Sequence, residues 1–490
     1  MPVSLKTPLT ILAAISMLIG LFQATDSRAA GQLYLAFTNV DTNFVPGTVY
    51  GPSIVRTALV FGSDGATLYG ISQNYGSTNR GCIFSFREDG SGFQVLHLFT
   101  TNANDGNMST AGIPSSSLIT DNGNIGGLAL ANNGWLYGTS PTGGTNNEGT
   151  VYRIRQDGTG FQVLHSFGNQ DTSFPCAPVI QGADGALYGT CFVGEIPGSP
   201  YNGGAVYKIN TDGSGYSALG YATNCFIASG LVQGTDSQLY GNASGALLAL
   251  FFRIATNGSA IIPIYTNSPG ATPEPLGTMI QIGAYLYGTT CFAGTSSAGT
   301  VYMLETNGAN YQVLHNFNDG TVANDGQHPG SGLVYAGGYL YGTTSSGGPA
   351  QTGTIYMMDT AGDYYSSIYD FPALTGGLPQ TQPLAALTPG IFEPGGGSGA
   401  LFGTYVNTTT GPGGIFGLLI NPVATITAAS VSFGGQTLVS WPAWAVGYRL
   451  QATTNLTSGT WTTVTNATPV LSEQVPTANS GTTFYRLVSP

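Results

Sequence analysis

Along most of the chain, apolar and aromatic residues come in runs of four to seven, each closed by Gly, Asn or Asp. The unit is clearest at 128–167, which reads LALANNG, LYGTSPTGG, GTVYRIRQDG and FQVLHSF. Short β-branched and aromatic runs bounded by turn formers predict successive antiparallel strands. We name them a, b, c and d, from the axis of a ring outward. The a-to-b and c-to-d connections are short words such as GSDG at 62–65, GADG at 182–185 and QDG at 156–158. Asp-Gly and Asn-Gly suit turns that need positive φ, so these acidic residues read as turn formers rather than calcium ligands.

The b-strand word Leu-Tyr/Phe-Gly recurs seven times, beginning at Leu68, Leu136, Leu187, Leu239, Leu286, Leu340 and Leu401. The intervals of 68, 51, 52, 47, 54 and 61 residues match a four-stranded blade and exceed a helical-pair or leucine-rich repeat. An all-β fold follows: a seven-bladed β-propeller of four-stranded blades. Both faces of each blade are covered by neighbours, so a b strand can bury Leu on one side and Tyr on the other. Blade 4 is the least regular, its c strand reading LFFRI at 250–254 without the GTVY word.

The last unit supplies a (LAALTPG, 384–390), b (LFGTY, 401–405) and c (GGIFGLLI, 413–420) but no d strand before Pro422. An unpaired strand at 33–37 precedes the first a strand. It is predicted to complete the seventh blade, removing the gap at which an open ring would expose sheet edges. The propeller domain is therefore placed at 30–422. After it, 423–490 carries alternating strands rich in Thr, Val and aromatics, with Trp441 and Trp461 as core anchors. This pattern predicts a small β-sandwich of immunoglobulin or fibronectin-III type, the alternative being an extension of the propeller.

At the N-terminus, Lys6, an apolar stretch over 9–22 and the small-residue positions of Ser27-Arg28-Ala29 predict a signal peptide over 1–29. About 14 apolar residues fall short of the roughly 20 that span a bilayer. The mature protein is expected to be secreted, periplasmic or at the cell surface, with no membrane span. A net charge of −12 without a basic run excludes nucleic acid and anionic lipid as partners.

Five cysteines allow at most two disulfides. Cys176 and Cys191 flank the hairpin PVIQGADGALYG, and if Gln181 faces Ala186 the register sets the two cysteines opposite each other. Cys225 is the rival partner, and buried thiols remain the third reading. His97, His165 and His315 share the d-strand word VLH in different blades, too far apart for one metal site. They read as structural, and no metal or cofactor is implied.

The words LYGTTxxGG, GTVYxI, DGxxFQVLHxF, as they stand at 136–167 and with changes at 286–317, resemble the GloVer-type tandem repeat of exported bacterial proteins. The resemblance covers roughly 33–420. It implies export and a repetitive β fold, and carries no catalytic residues. The 423–490 segment is similar, less specifically, to small C-terminal modules of such proteins.

The long, variable segments at 100–125, 191–204, 291–299, 318–332 and 372–383 are all b-to-c or d-to-a connections, which emerge on one face of the ring. Variable loops on a rigid ring are the usual place for recognition. On that face Tyr75, Phe192, Tyr201 and Phe292 are candidate aromatic platforms, with Glu195 and Asp325 as polar contacts. Export, low charge and these aromatics favour a non-catalytic binding or adhesion protein for an extracellular polysaccharide or protein. A propeller-fold carbohydrate-active hydrolase or lyase is the alternative, since carboxylate pairs need no sequence motif; a structural cell-surface protein is the third. GxSxG, HExxH, CxxC and P-loop motifs are absent.

Overall fold

The computed structural model describes the backbone of 32–37 and then 57–420, except 74–79, 103–104, 110–125, 169–171, 196–201, 246–247, 267–273, 372–380, 393–398 and 408–413. Beyond these it describes the strands at 427–433, 436–440, 449–453, 462–463, 472–476 and 484–488. Every regular element among the described residues is a β-strand. Seven sheets carry their strands in the order a-b-c-d, all antiparallel, and form the seven blades of a propeller. Blade 2 is representative, with a at Gly127–Leu130, b at Trp135–Ser140, c at Thr150–Arg155 and d at Gln162–Ser166. Blade 7 takes its d strand from the other end of the domain. Gln32–Phe37 pairs antiparallel with the c strand Gly414–Ile420, Gln32 opposite Leu419 and Phe37 opposite Ile415.

The repeated b-strand word explains how the blades meet. Because successive side chains of a strand point to opposite faces, Leu and Gly face the preceding blade while Tyr and the residue after Gly face the next. Tyr137 of blade 2 shares a buried cluster with Leu187 of blade 3, Tyr188 with Leu239, Tyr240 with Leu286, Tyr287 with Leu340, and Tyr341 with Leu401. Tyr69 meets Leu136 in the same way, and Phe402 of blade 7 meets Leu68 of blade 1. Seven equivalent interfaces therefore close the ring. The residue after Gly adds a hydrogen bond to the incoming chain of the next blade: Thr139 Oγ1 donates to the Ala177 carbonyl at 2.9 Å, Thr190 Oγ1 to Ser229 at 2.7 Å, and Thr289 Oγ1 to Ser331 at 2.8 Å. In blade 4 Asn242 replaces the threonine, and its Nδ2 donates to the Gly277 carbonyl at 2.9 Å.

The glycine of the word has its own partner. Gly138 lies directly opposite Tyr152 on the c strand, Gly189 opposite Tyr207, Gly288 opposite Tyr302 and Gly342 opposite Tyr356. In blades 1, 4 and 7 the opposing residue is Phe84, Phe252 or Phe416. Each aromatic ring folds across its glycine; a Cβ on Gly138 would lie 2.5 Å from the Tyr152 ring. Blade 4, despite its altered c-strand sequence, keeps this pairing and the shift of register between c and d seen in the other blades.

Residues after 426 form two three-stranded antiparallel sheets. One joins Thr427–Phe433, Gln436–Ser440 and Ser472–Pro476, the other Thr462–Thr463, Arg449–Thr453 and Phe484–Val488.

Adding the single methyl of Gly138→Ala should cost about 1–3 kcal/mol by overpacking against Tyr152. Denaturant unfolding checks this. In a double-mutant cycle with Tyr152→Ala, the combined loss should be smaller than the sum, because the ring that the methyl strikes is gone.

Candidate functional site: the long-loop face

On the face where the b-to-c and d-to-a connections emerge, five incoming crossovers pause to pair with the blade they enter. Gly106–Asn107 bridges to Thr142–Gly143, and Gly326–Gln327 to Ser346–Gly347. Thr172 and Ser173 pair with Gly194 and Val193, Phe226 with Ser244, and Thr381 and Gln382 with Asn407 and Val406. These short bridges make a second tier above the blades, so the long segments spring from fixed bases.

Two crossovers are also pinned by histidine–carboxylate pairs whose carboxylates are buried. His97 Nε2 lies 3.1 Å from Asp105 Oδ1, and His315 Nε2 lies 3.0 Å from Asp325 Oδ2. Each imidazole stacks on an aromatic ring of the next blade, His97 on Phe161 at 3.6 Å and His315 on Tyr365 at 3.7 Å. His165 stacks on Tyr216 at 3.7 Å in the same manner; Asp171, the acid nearest the corresponding place, lies outside the described residues. Both described carboxylates are fully engaged. Asp325 also accepts from the Asn318 and Gly326 amides and from the Tyr365 hydroxyl at 2.6 Å. Asp105 accepts from the Gly106 amide and from both the amide and hydroxyl of Thr100. A carboxylate with its acceptor positions filled is a fastener, not a free acid or base. Burial pushes the Asp105 carboxyl up, but the His97 and Thr100 hydrogen bonds outweigh it and hold the group below the ordinary carboxylate range.

Nearer the ends of the crossovers, one backbone position recurs with different side chains. Its carbonyl accepts an amide from the end of the b strand or just beyond it: Phe174 from Phe192, Phe226 from Ser244, Glu274 from Cys291, and His328 from Ser345. Phe174, Glu274 and His328 sit at φ of 60°, 38° and 57°, and each precedes a proline. A non-glycine residue in that region costs on the order of 1–3 kcal/mol, and a following proline disfavours it further. Around these residues lies an apolar cluster in which Phe192, Cys176, Cys291, Ala228 and Leu276 are buried, with Phe174, Phe226 and Phe292 partly buried at its margin. Phe192 stacks on Phe226 at 4.8 Å, and the Phe292 and His328 rings lie 5.0 Å apart. Partial burial pushes the Glu274 carboxyl up and the His328 imidazole down. His328 Nδ1 lies 2.9 Å from Ser346 Oγ.

The residues expected from the sequence are thus only partly assembled. Phe292 is partly buried against the apolar cluster. Phe192 is not a platform: it is 1% exposed, because its position on the b strand turns it into the cluster and onto Phe226. Asp325 is not a surface contact but the buried partner of His315. Glu195 ends its b strand opposite Asn202. Tyr75 and Tyr201 lie outside the described residues. The Cys176–Cys191 disulfide is not formed; both are buried thiols, as are Cys82, Cys225 and Cys291. The hairpin places Gln181 opposite Leu187 rather than Ala186, and a one-residue slip exchanges which side chains share a face. Phe174, Phe226, Glu274 and His328 are not among the residues expected from the sequence, although Phe-Pro, Glu-Pro and His-Pro in the crossovers entering blades 3, 5 and 6 mark three of them.

Removing one partner of a buried pair strands the other, so Asp325→Ala should cost roughly 3–5 kcal/mol in denaturant unfolding. Asp105 contributes a pH dependence of its own. Its folded pKa lies below the unfolded value of about 3.9, so its stabilisation is complete above that value and disappears as pH falls through the folded pKa. The stability difference between wild type and Asp105→Asn should therefore shrink below about pH 4.

The family model described as the Gloeobacter/Verrucomicrobia repeat matches residues 118–249 and 228–468. No curated protein matches the sequence. Among solved structures, an oligogalacturonate lyase in complex with manganese is similar over 80% of this chain and 98% of its own, at 12% identity and a TM-score of 0.47. YCF48 bound to D1 peptide is similar over 81% of this chain and 99% of its own, at 10% identity and a TM-score of 0.45. A putative 6-phosphogluconolactonase from Bacteroides fragilis shares 16% identity over 64% of this chain and 83% of its own, with a TM-score of 0.40. With the family match running over 118–468 and the repeat word setting every blade interface, the chain belongs to the Gloeobacter/Verrucomicrobia repeat family.

Proposed function

We propose that this protein is an exported, non-catalytic binding or adhesion module whose ligand, a polysaccharide or protein outside the cell, is held on the long-loop face. One observation carries the reading: that face joins fixed loop bases to tips rich in uncharged hydrogen-bonding groups. Thr101, Thr145, Asn147, Thr321 and Asn324 are all exposed in the segments beside the paired bridges, and Ser296 is exposed in the b-to-c connection of blade 5. Hydroxyl and amide groups on a preorganised base match the hydroxyls of a neutral polymer at little ordering cost. Asp105 and Asp325 are occupied within the fold, which favours binding over acid–base catalysis by either. Export rests on the segment over 1–29, which lies outside the described residues, and places the protein in the periplasm, at the cell surface or in the medium. The net charge of −12 argues against nucleic acid or anionic membrane as the partner. We assign the two three-stranded sheets after 426 to an immunoglobulin or fibronectin-III-like module appended to the ring.

The test is a binding screen of the purified protein against neutral and acidic polysaccharides, followed by hydrogen-exchange mapping with the bound polymer. Protection is expected in the crossovers and b-to-c connections. Protection confined to the a-to-b and c-to-d turns overturns the assignment of the face, and release of reducing ends from the bound polymer overturns the non-catalytic reading.

A further inference from the structure

The repeat holds its framework words nearly constant, yet one constrained backbone position carries Phe174, Phe226, Glu274 and His328 in blades 3 to 6. The hydrogen bond at this position is kept in all four blades while the side chain changes from aromatic to acid to imidazole. Three of the four hold positive φ ahead of proline, where glycine would remove the strain. Glycine is used at positive φ throughout the turns of this protein, at Gly134, Gly158 and Gly185 among others. Its place is taken here by three large, chemically distinct side chains, Phe174, Glu274 and His328, each of which keeps part of its surface open to solvent.

The row is also continuous across blades. Phe192 stacks on Phe226 between blades 3 and 4, the shared cluster runs on to Leu276 and Cys291 of blade 5, and Phe292 meets His328 of blade 6. We propose that Phe174, Phe226, Glu274, Phe292 and His328 form one saccharide-contact row, aromatic rings meeting the C–H faces of sugar rings while Glu274 and His328 bond their hydroxyls. Partly buried aromatic rings beside a few polar side chains are the composition that suits a ligand whose rings carry apolar faces and hydroxyl edges. This inference rests on the reading of the long-loop face as a binding surface and names the site and ligand class on it.

The test uses the whole purified protein with cellohexaose, xylohexaose and chitohexaose as probes, by titration calorimetry. Glu274→Gly and His328→Gly relieve backbone strain, so their melting temperatures should stay within a few degrees of wild type. Their affinity for the saccharide that wild type binds should fall at least tenfold. Glu274→Gln and His328→Asn retain the local bulk and serve where a glycine variant loses its fold; they should weaken binding by a smaller factor. Unchanged affinity in all four variants, with loss instead in Thr145→Ala and Asn147→Ala, overturns the contact row and leaves the long-loop face as the binding surface. Binding of none of the three saccharides by wild type overturns the saccharide assignment, and a protein ligand protecting the same face would then show that the broader reading stands without it.

Discussion

The propeller depends on a cross-strand pair in which a glycine without a side chain lies beneath an aromatic ring. Gly138 and Tyr152, Gly288 and Tyr302, Gly342 and Tyr356 repeat it from blade to blade. The ring shields backbone that the glycine leaves bare, a known device for rescuing glycine in a sheet. Blades 1, 4 and 7 use phenylalanine instead, so the ring rather than the hydroxyl is what the position requires. The face on which this pair lies also bears the leucine of the same word, and the opposite face bears its tyrosine. One three-residue word therefore sets the packing on both sides of each blade.

From that constraint the circular closure follows. A sheet that must bury both faces needs a neighbour on each side, and seven such sheets in sequence leave two faces uncovered unless the first meets the last. Phe402 against Leu68 supplies that final interface, and Gln32–Phe37 beside Gly414–Ile420 supplies the matching strand pairing. Packing and hydrogen bonding thus close the ring by separate means at the same blade. The stacked histidines act farther along the same interfaces. His97 on Phe161, His165 on Tyr216 and His315 on Tyr365 each tie a d strand to the next blade, and Tyr265 on Tyr311 does so without a histidine.

These features were legible in the sequence to different depths for physical reasons. The blade count was readable because every b strand needs the same leucine, aromatic and glycine, so the word could not drift. The missing d strand was readable because it leaves an edge unpaired at each end of the domain. The fate of individual side chains was less accessible. A strand register that slips by one residue exchanges faces, which is why Cys176 and Cys191 do not join and why their hairpin sets Leu187, not Ala186, opposite Gln181. Phe192 was expected at the surface because it follows the b-strand word in a long connection. The strand in fact runs on through Glu195, carrying Phe192 into a cluster between blades. Asp325 was visible as an acidic loop residue, but its pairing with His315 depends on a crossover folding back over the strand it has just left.

The same contrast separates scaffold from candidate site. Where an interface must be reproduced in every blade, the allowed side chains are few, and variation at Gly138 or Leu187 would be felt at a neighbouring sheet. At Phe174, Phe226, Glu274 and His328 the hydrogen bond to the blade is made by the backbone, so that bond does not depend on which side chain stands there. A position fixed by its main chain can change chemistry without loosening the fold. The strain at three of these residues fits that division, because a ring fastened at seven interfaces can hold a locally unfavourable φ that an isolated loop would relax. Rigidity is therefore what the repeat contributes to recognition: the framework words fix where the variable side chains stand, and those side chains determine what can be bound.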